Sequence, residues 1–190
     1  MSDNIHSMSR DKIEVLFSEN IIKARIEMLA KEIAEANRKT DGDLLVISLL
    51  KGAFIFTADM IRALNRHKVK LQLDFMTLAS YGKAKESTGS VVIHSDLKES
   101  VRDRKILLLD DILESGRTLA FAQNLLKERG ARQISICVLM EKPGKLVHDI
   151  RPEHVGFIVP DKFVVGYGLD YANYYRELPY IAAVMDGKKR

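Results

Sequence analysis

The chain has 190 residues, of which 46% are hydrophobic and 29% are charged, and its net charge is +4. This length and apolar content suffice for one domain with a substantial core, so we predict a single domain over residues 1–190. A pI near 9.1 would suit a nucleic-acid-binding protein, but the basic residues are interleaved with acids and no RNA- or DNA-binding signature is present, so no nucleic-acid partner is expected.

The first part of the chain alternates helices and strands. Ser18 is positioned to cap a helix that we predict to run to about Arg38. The apolar residues of this helix recur at helical spacing and form one face: Ile22, Ile26, Leu29, Ala30 and Ile33. A buried strand follows over residues 44–50, and a helix runs from Ala53 to about Arg66.

The second part of the chain continues the same alternation. A strand with apolar residues at every second position lies around residues 71–75, a polar segment spans residues 80–90, and residues 91–93 resume the sheet. Further strands at residues 106–109 and 134–140 flank a helix that stops near Gly130. Strands that alternate with helices predict an α/β fold with a doubly wound sheet.

The most informative motif begins with the apolar run Ile106–Leu109, which is typical of a central strand covered on both faces. Asp110 and Asp111 follow at its carboxyl end, where open α/β sheets bind their ligands. The next turn, Ser115–Thr118, begins a helix whose free N–H groups and dipole favour a phosphate, and Gly116 permits close approach of the backbone. Two acids after a strand could by themselves form a solvated turn or a helix cap, but the complete string predicts a site for a phosphorylated sugar.

This string resembles the phosphoribosyl pyrophosphate motif of the type I phosphoribosyltransferases, which combines a hydrophobic strand, two acids and a Thr/Ser-Gly-x-Thr loop. The resemblance extends from about residue 13 to 182 and points to the hypoxanthine and hypoxanthine-guanine enzymes. It implies the type I phosphoribosyltransferase fold, a mostly parallel twisted sheet flanked by helices, with a small hood built from N- and C-terminal segments. It also implies Mg²⁺-dependent transfer of the 5-phosphoribosyl group from phosphoribosyl pyrophosphate to hypoxanthine, and also to guanine, in purine salvage.

Two loops of this chain resemble loops that surround the reacting groups in this family. The sequence Leu50, Lys51, Gly52 is similar to the family's pyrophosphate loop, in which the Leu-Lys peptide is commonly cis so that backbone N–H groups face the pyrophosphate. Ser80 and Tyr81 resemble the start of a long loop that closes over the transition state and excludes water.

The resemblance also assigns the acids and the phosphate-binding turn. Asp110 and Asp111 would bind the ribose hydroxyls directly or through Mg²⁺, since a vicinal diol needs paired acceptors. Asp170 would hold a Mg²⁺ carried by the pyrophosphate, and Arg176 would reach the pyrophosphate as a catalytic group. The phosphate-binding turn consists of Ser115, Gly116, Arg117 and Thr118.

Base specificity is expected from the C-terminal third of the chain. Lys142 would donate to the purine 6-oxo group, Phe163 would stack on the purine, and the backbone of Val164 would bind its edge. Glu114 would assist proton removal at nitrogen 7. The family usually has Glu-Asp at positions 110–111 and Asp at position 114. This chain keeps an acid at each position, but the side chain is shorter than usual at position 110 and longer than usual at position 114.

Two alternatives remain open at this point. One is an enzyme of the same class that prefers xanthine or guanine, and the other is a non-catalytic, nucleotide-binding regulator with the same fold.

The resemblance further implies a homodimer or homotetramer, for which the helix after Ser18 or the one after Ala53 could provide a surface. No apolar segment is long enough to cross a membrane and Cys137 is the single cysteine, in an apolar run, so we expect a cytoplasmic protein without a membrane partner.

Overall fold

The computed structural model describes residues 13–38, 42–80 and 91–185. Within these ranges the chain forms three α-helices and nine β-strands. In chain order they are β1 (Ile13–Phe17), α1 (Glu19–Arg38), β2 (Leu44–Leu50), α2 (Phe54–Arg66), β3 (Leu71–Ser80), β4 (Val91–Ser95), β5 (Lys105–Leu113), α3 (Arg117–Glu128), β6 (Gln133–Glu141), β7 (His154–Ile158), β8 (Val164–Val165) and β9 (Ile181–Val184). The helices and the longer strands predicted from the sequence are confirmed, with ends within a few residues of those expected.

A six-stranded sheet with the strand order β4-β3-β2-β5-β6-β7 forms the centre of the fold. Its neighbouring strands pair in parallel, apart from the antiparallel pair of β3 and β4. The central strands β2 and β5 are almost continuous apolar runs, because helices cover both faces of a parallel sheet and leave few of its central residues in water. The mostly parallel sheet implied by the resemblance is confirmed.

The three helices divide the hydrophobic core between the two faces of this sheet. Leu107 packs in the core that α1 and α2 cover, whereas the next residue, Leu108, packs in the core that α3 covers, because successive side chains of a strand point to opposite faces. The predicted apolar face of α1 is buried in the first of these cores, and so is Cys137. No helix in the described ranges has the length and apolar character needed to span a membrane.

A second, three-stranded sheet with the order β1-β9-β8 forms the small hood. Its strands pair antiparallel and bring the beginning and the end of the described chain together. An ion pair of 2.8 Å between Lys162 and Glu14 further ties the segment before β8 to β1. This confirms the hood implied by the resemblance, although the residue patterns alone did not predict its strands, which are two to five residues long.

In the six-stranded sheet, β5 and β7 also differ from the sequence-based expectation. β5 does not end before the acids but continues through Asp110 and Asp111 to Leu113, with Asp110 in register with Val138 of β6. The parallel pairing with β6 holds this polar stretch extended, so the two acids lie within the last part of the strand. β7 was not expected, because Gly156 interrupts its apolar pattern; a side chain at that position would overlap a carbonyl of β6.

Candidate active site

A cavity of about 690 Å³ lies at the carboxyl ends of β2, β5 and β6, beneath the hood. This is the edge of an open α/β sheet at which ligands are expected to bind. The sequence-predicted site residues that line it are Leu50, Lys51, Gly52, Asp110, Asp111, Glu114, Ser115, Gly116, Arg117, Thr118, Lys142, Phe163, Val164, Asp170 and Arg176. Ser80 ends β3, but its side chain and all of Tyr81 lie outside the described part of the chain.

The loop after β2 is packed tightly between β5 and the hood. Its Leu50-Lys51 peptide bond is cis, as the resemblance implied. A side chain at Gly52 would overlap the carboxylate of Asp111, and a side chain at Gly168 would overlap the carbonyl oxygen of Gly52. The two glycines therefore let three segments from distant parts of the chain meet. No sequence motif assigns a role to Gly168, since only the folded chain shows what it faces.

The two acids of β5 are adjacent, with Asp110 buried and Asp111 partly buried. Asp110 is 8% exposed, and burial, followed by the negative charge of Asp111, raises the pKa of Asp110 well above its usual range. Burial also raises the pKa of Asp111, although hydrogen bonds and the positive charge of Arg176 oppose this effect. In the described structure neither carboxylate forms an ion pair. Two adjacent acids without a paired cation are suited to bind a diol, a cation or both.

The predicted phosphate-binding turn, residues 115–118, lies between β5 and α3. Gly116 has φ 75°, a left-handed conformation that favours glycine, and it immediately precedes α3. The Oγ atom of Ser115 accepts from the first N–H group, that of Arg117, at 3.4 Å, and the first turn of α3 holds no acidic residue. Its N–H groups and the positive end of its dipole therefore face the cavity without a competing negative charge. Gly130, with φ 84°, follows the end of α3 as predicted.

Four charged side chains lie along the wall of the cavity near β6. The ammonium group of Lys142 lies 3.5 Å from one oxygen of Glu114, and that of Lys145 lies 3.1 Å from the other. Lys145 also lies 2.5 Å from Asp161. Hydrogen bonds to Asp161 and then to Glu114 raise the pKa of Lys145, so this group stays cationic. Sequence reasoning found Lys142 and Glu114 but missed Lys145 and Asp161, which no local motif distinguishes from surface charges.

An aromatic side chain lines the same part of the cavity. Phe163 is 52% exposed, so it is not part of the hydrophobic core. Its ring meets the edge of Tyr171 at a centroid distance of 5.5 Å and an interplanar angle of 89°. The next residue, Val164, is buried in β8 and anchors this segment to the hood. One face of the Phe163 ring is therefore available to a planar ligand.

The loop from Gly168 to Arg176 is held by the guanidinium group of Arg176. This group lies 2.6 Å from a carboxylate oxygen of Asp170 and donates to the Gly168 carbonyl at 2.7 Å. The second oxygen of Asp170 accepts from the backbone N–H of Asn173 at 2.7 Å. Among the described residues, no three His, Cys, Asp or Glu side chains converge to hold a metal ion. Asp110, Asp111 and Asp170 thus do not form a preformed cage, and a metal here would need oxygen ligands from a substrate.

Comparison with known proteins agrees with this fold. The sequence model of the phosphoribosyl transferase domain matches residues 14–172. The chain therefore belongs to the phosphoribosyltransferase family. It is 40% identical over 173 residues to the hypoxanthine phosphoribosyltransferase of Escherichia coli K12, covering 91% of this chain and 96% of that protein. It is 43% identical over 177 residues to the hypoxanthine-guanine phosphoribosyltransferase of Bacillus subtilis 168, covering 93% and 96%.

Solved structures give the same result. A hypoxanthine phosphoribosyltransferase from Staphylococcus aureus superposes with a TM-score of 0.85 at 36% identity, covering 95% of this chain and 96% of that one. The hypoxanthine phosphoribosyltransferase of Trypanosoma cruzi has a TM-score of 0.83 at 31% identity, covering 90% and 96%. The type I phosphoribosyltransferase fold predicted from the sequence is confirmed.

Proposed function

We propose that this protein transfers the 5-phosphoribosyl group of phosphoribosyl pyrophosphate to hypoxanthine, and also to guanine, and releases the nucleotide and pyrophosphate. The observation that carries this proposal is that one cavity combines the adjacent acids Asp110 and Asp111, the N-terminus of a helix with no acidic residue in its first turn, and both a buried lysine and an exposed aromatic ring. These features suit a ribose, a phosphate and a 6-oxopurine, respectively. The relatives reported above are named as enzymes of this reaction, which favours catalysis over a purely regulatory role.

The sugar phosphate would occupy the side of the cavity next to α3. Asp110 and Asp111 would accept hydrogen bonds from the two ribose hydroxyls. The 5-phosphate would bind the N–H groups at the start of α3, together with the hydroxyls of Ser115 and Thr118. Because Gly116 adopts a left-handed conformation, the turn can bring these donors close to the phosphate.

The pyrophosphate would lie between the loop after β2 and the loop held by Arg176. The backbone around Lys51 and Gly52 would donate to it, and the guanidinium group of Arg176 would bind its oxygens as a planar fork. Mg²⁺ commonly binds one or two carboxylates and completes its shell with substrate phosphates, which fits separate carboxylates such as Asp170 and the Asp110-Asp111 pair. When bound, it would neutralise negative charge on the departing pyrophosphate.

The purine would lie against Phe163 with its 6-oxo group directed at Lys142. An ammonium group can only donate, so it pairs with the oxygen of hypoxanthine or guanine and opposes the 6-amino group of adenine. The backbone of Val164 would bind the opposite edge of the base. Glu114, which lies 3.5 Å from Lys142, would remove the proton at nitrogen 7 as the new bond forms.

The proposed function also includes a loop that closes over the site and the assembly of the protein into an oligomer. The loop beginning at Ser80 and Tyr81 would cover the reacting groups and keep water from the cationic ribosyl centre. The chain would act as one domain over residues 1–190 in a homodimer or homotetramer. Support for an assembly surface comes from large apolar side chains that α1 leaves exposed, Ile21 at 51% and Met28 at 57%.

A steady-state assay with phosphoribosyl pyrophosphate and Mg²⁺ tests this proposal. Hypoxanthine, guanine, xanthine and adenine are supplied separately, and nucleotide formation is followed. We expect turnover with hypoxanthine and guanine and none with adenine. Preferred use of xanthine would identify an enzyme of the same class with another base. Absence of turnover with every base, despite nucleotide binding, would identify a regulator and overturn the proposal.

A further inference from the structure

A row of alternating charges connects three separate loops at the purine end of the cavity. It runs from Lys142, after β6, to Glu114, after β5, then to Lys145 and finally to Asp161, two residues before Phe163. Each carboxylate oxygen of Glu114 thus contacts a different lysine. Lys142 and Glu114 belong to the proposed purine site, whereas Lys145 has no role in the reaction described so far.

The two lysines hold Glu114 unequally. The side chain of Lys142 is only 9% exposed, so water screens its charge little and it attracts a nearby carboxylate strongly. Its contact with Glu114 is nevertheless the longer one, 3.5 Å against 3.1 Å for Lys145. Lys145 is fixed in turn by its 2.5 Å contact with Asp161. The Glu114 carboxylate is therefore drawn away from the buried lysine by the more exposed one.

We propose that Lys145 is a positioning residue that keeps the carboxylate of Glu114 from closing onto Lys142. The ammonium group of Lys142 then remains available to donate to the 6-oxo group of the purine. Through Asp161, the same side chain also ties Glu114 to the segment that carries Phe163. This inference rests on the proposed function, because it takes Lys142 and Glu114 as the groups that meet the purine.

Loss of Lys145 weakens the binding of the purine more than the binding of phosphoribosyl pyrophosphate. Without it, Glu114 rotates onto Lys142 and forms a tighter ion pair, which the purine must break in order to bind. The proposed phosphoribosyl pyrophosphate site around Lys51 and the start of α3 does not include Lys145. Rotation of the Glu114 side chain leaves the backbone N–H donors of that site in place. The fold is also kept, because ion pairs with partly exposed partners contribute little to stability; the side chain of Lys145 is 37% exposed and that of Asp161 is 63% exposed.

The first test compares Lys145→Met and Lys145→Arg with wild type in the steady-state assay. For Lys145→Met we expect the KM of hypoxanthine to rise about 3–10-fold, with the KM of phosphoribosyl pyrophosphate unchanged. Lys145→Arg should restore most of the loss, since a guanidinium group can bind both carboxylates. Lys127→Met, which removes an exposed lysine of α3 whose ammonium group donates to Gln123 at 3.0 Å, is the matched control and should behave as wild type. An equal rise in both KM values, or no rise, would overturn the inference.

The second test asks whether Lys145 acts through Glu114. The effect of Lys145→Met on the KM of hypoxanthine should largely disappear in a Glu114→Gln background, because the neutral side chain no longer closes onto Lys142. A full, additive effect in that background would contradict the proposed role. An inactive wild-type protein would overturn the proposed function and this inference with it, whereas an active wild type with an unaffected Lys145→Met variant would overturn this inference alone.

Discussion

Replacement of Lys142 by methionine removes the positive charge that we place at the 6-oxo group of the purine. The side chain is 9% exposed, and methionine has a similar length and no charge, so the surrounding packing is kept. The change does not strand a buried carboxylate, because Glu114 is 42% exposed and keeps its contact with Lys145 at 3.1 Å. We therefore expect the variant to fold with a Tm close to that of wild type.

The size of the kinetic effect follows from the lost hydrogen bond. A hydrogen bond to a charged group contributes about 1.5–3 kcal/mol, and about 1.4 kcal/mol corresponds to a factor of ten, so kcat/KM for hypoxanthine should fall about 10–150-fold. The KM of phosphoribosyl pyrophosphate should not change, since its proposed ligands lie on other loops. Discrimination against adenine should also weaken, because the donor that opposes its 6-amino group is gone.

The assay measures kcat and KM for hypoxanthine and adenine at saturating phosphoribosyl pyrophosphate, and then KM for phosphoribosyl pyrophosphate at saturating hypoxanthine. Thermal unfolding of each variant shows that the compared proteins are folded. Lys127→Met again provides a matched control for the loss of one lysine charge. An equal loss of kcat/KM for hypoxanthine and for phosphoribosyl pyrophosphate would show that Lys142 does not bind the 6-oxo group. An unchanged ratio of hypoxanthine to adenine turnover would show the same.

Three further predictions concern the acids and the pyrophosphate loop. Glu114→Gln should lower kcat about 10²–10⁴-fold if the carboxylate is the general base, and near-wild-type turnover would refute that role. Gly52→Ala should raise the KM of phosphoribosyl pyrophosphate at least about tenfold, because the added methyl group displaces either the loop or the Asp111 carboxylate; an unchanged KM would place the pyrophosphate elsewhere. Asp110→Asn should lose activity yet unfold at a higher temperature than wild type at pH 7 in metal-free buffer. The folded state raises the pKa of Asp110, so the ionised carboxyl destabilises the wild-type fold increasingly as the pH rises above the ordinary value of about 4. Differential scanning fluorimetry between pH 4 and 8 should show the difference in Tm growing with pH, and a constant difference would argue against an uncompensated buried charge.

The long elements of the fold could be predicted from the sequence because their signals are local. The buried strand at residues 44–50 and the apolar face of α1 each repeat one pattern over several residues, and the structure confirms both. The hood strands have no such signal. β8 spans only Val164–Val165, and it is a strand because β9 pairs with it, not because of its own composition.

The end of β5 shows how tertiary pairing overrides local polarity. Two consecutive acids predict the end of an apolar strand, yet the backbone stays extended to Leu113, because β6 continues alongside and pairs with it. The same pairing carries Asp110 into the interior and leaves Asp111 partly buried, and burial raises the pKa of both. The identity of the acids was evident from the sequence, but their electrostatic state depends on neighbours far away in the chain.

The sequence by itself determined the α/β class, the order of the main elements and the residue types of the site, because motifs such as Ser115–Thr118 place their chemistry within a few consecutive positions. Only the tertiary structure decided which side chains meet. The contact of Glu114 with Lys145, and the meeting of Gly52 with Gly168, join loops that are 31 or more positions apart. Such contacts depend on how the strands are ordered in the sheet and how closely their loops pack, and no local pattern of residues records either property.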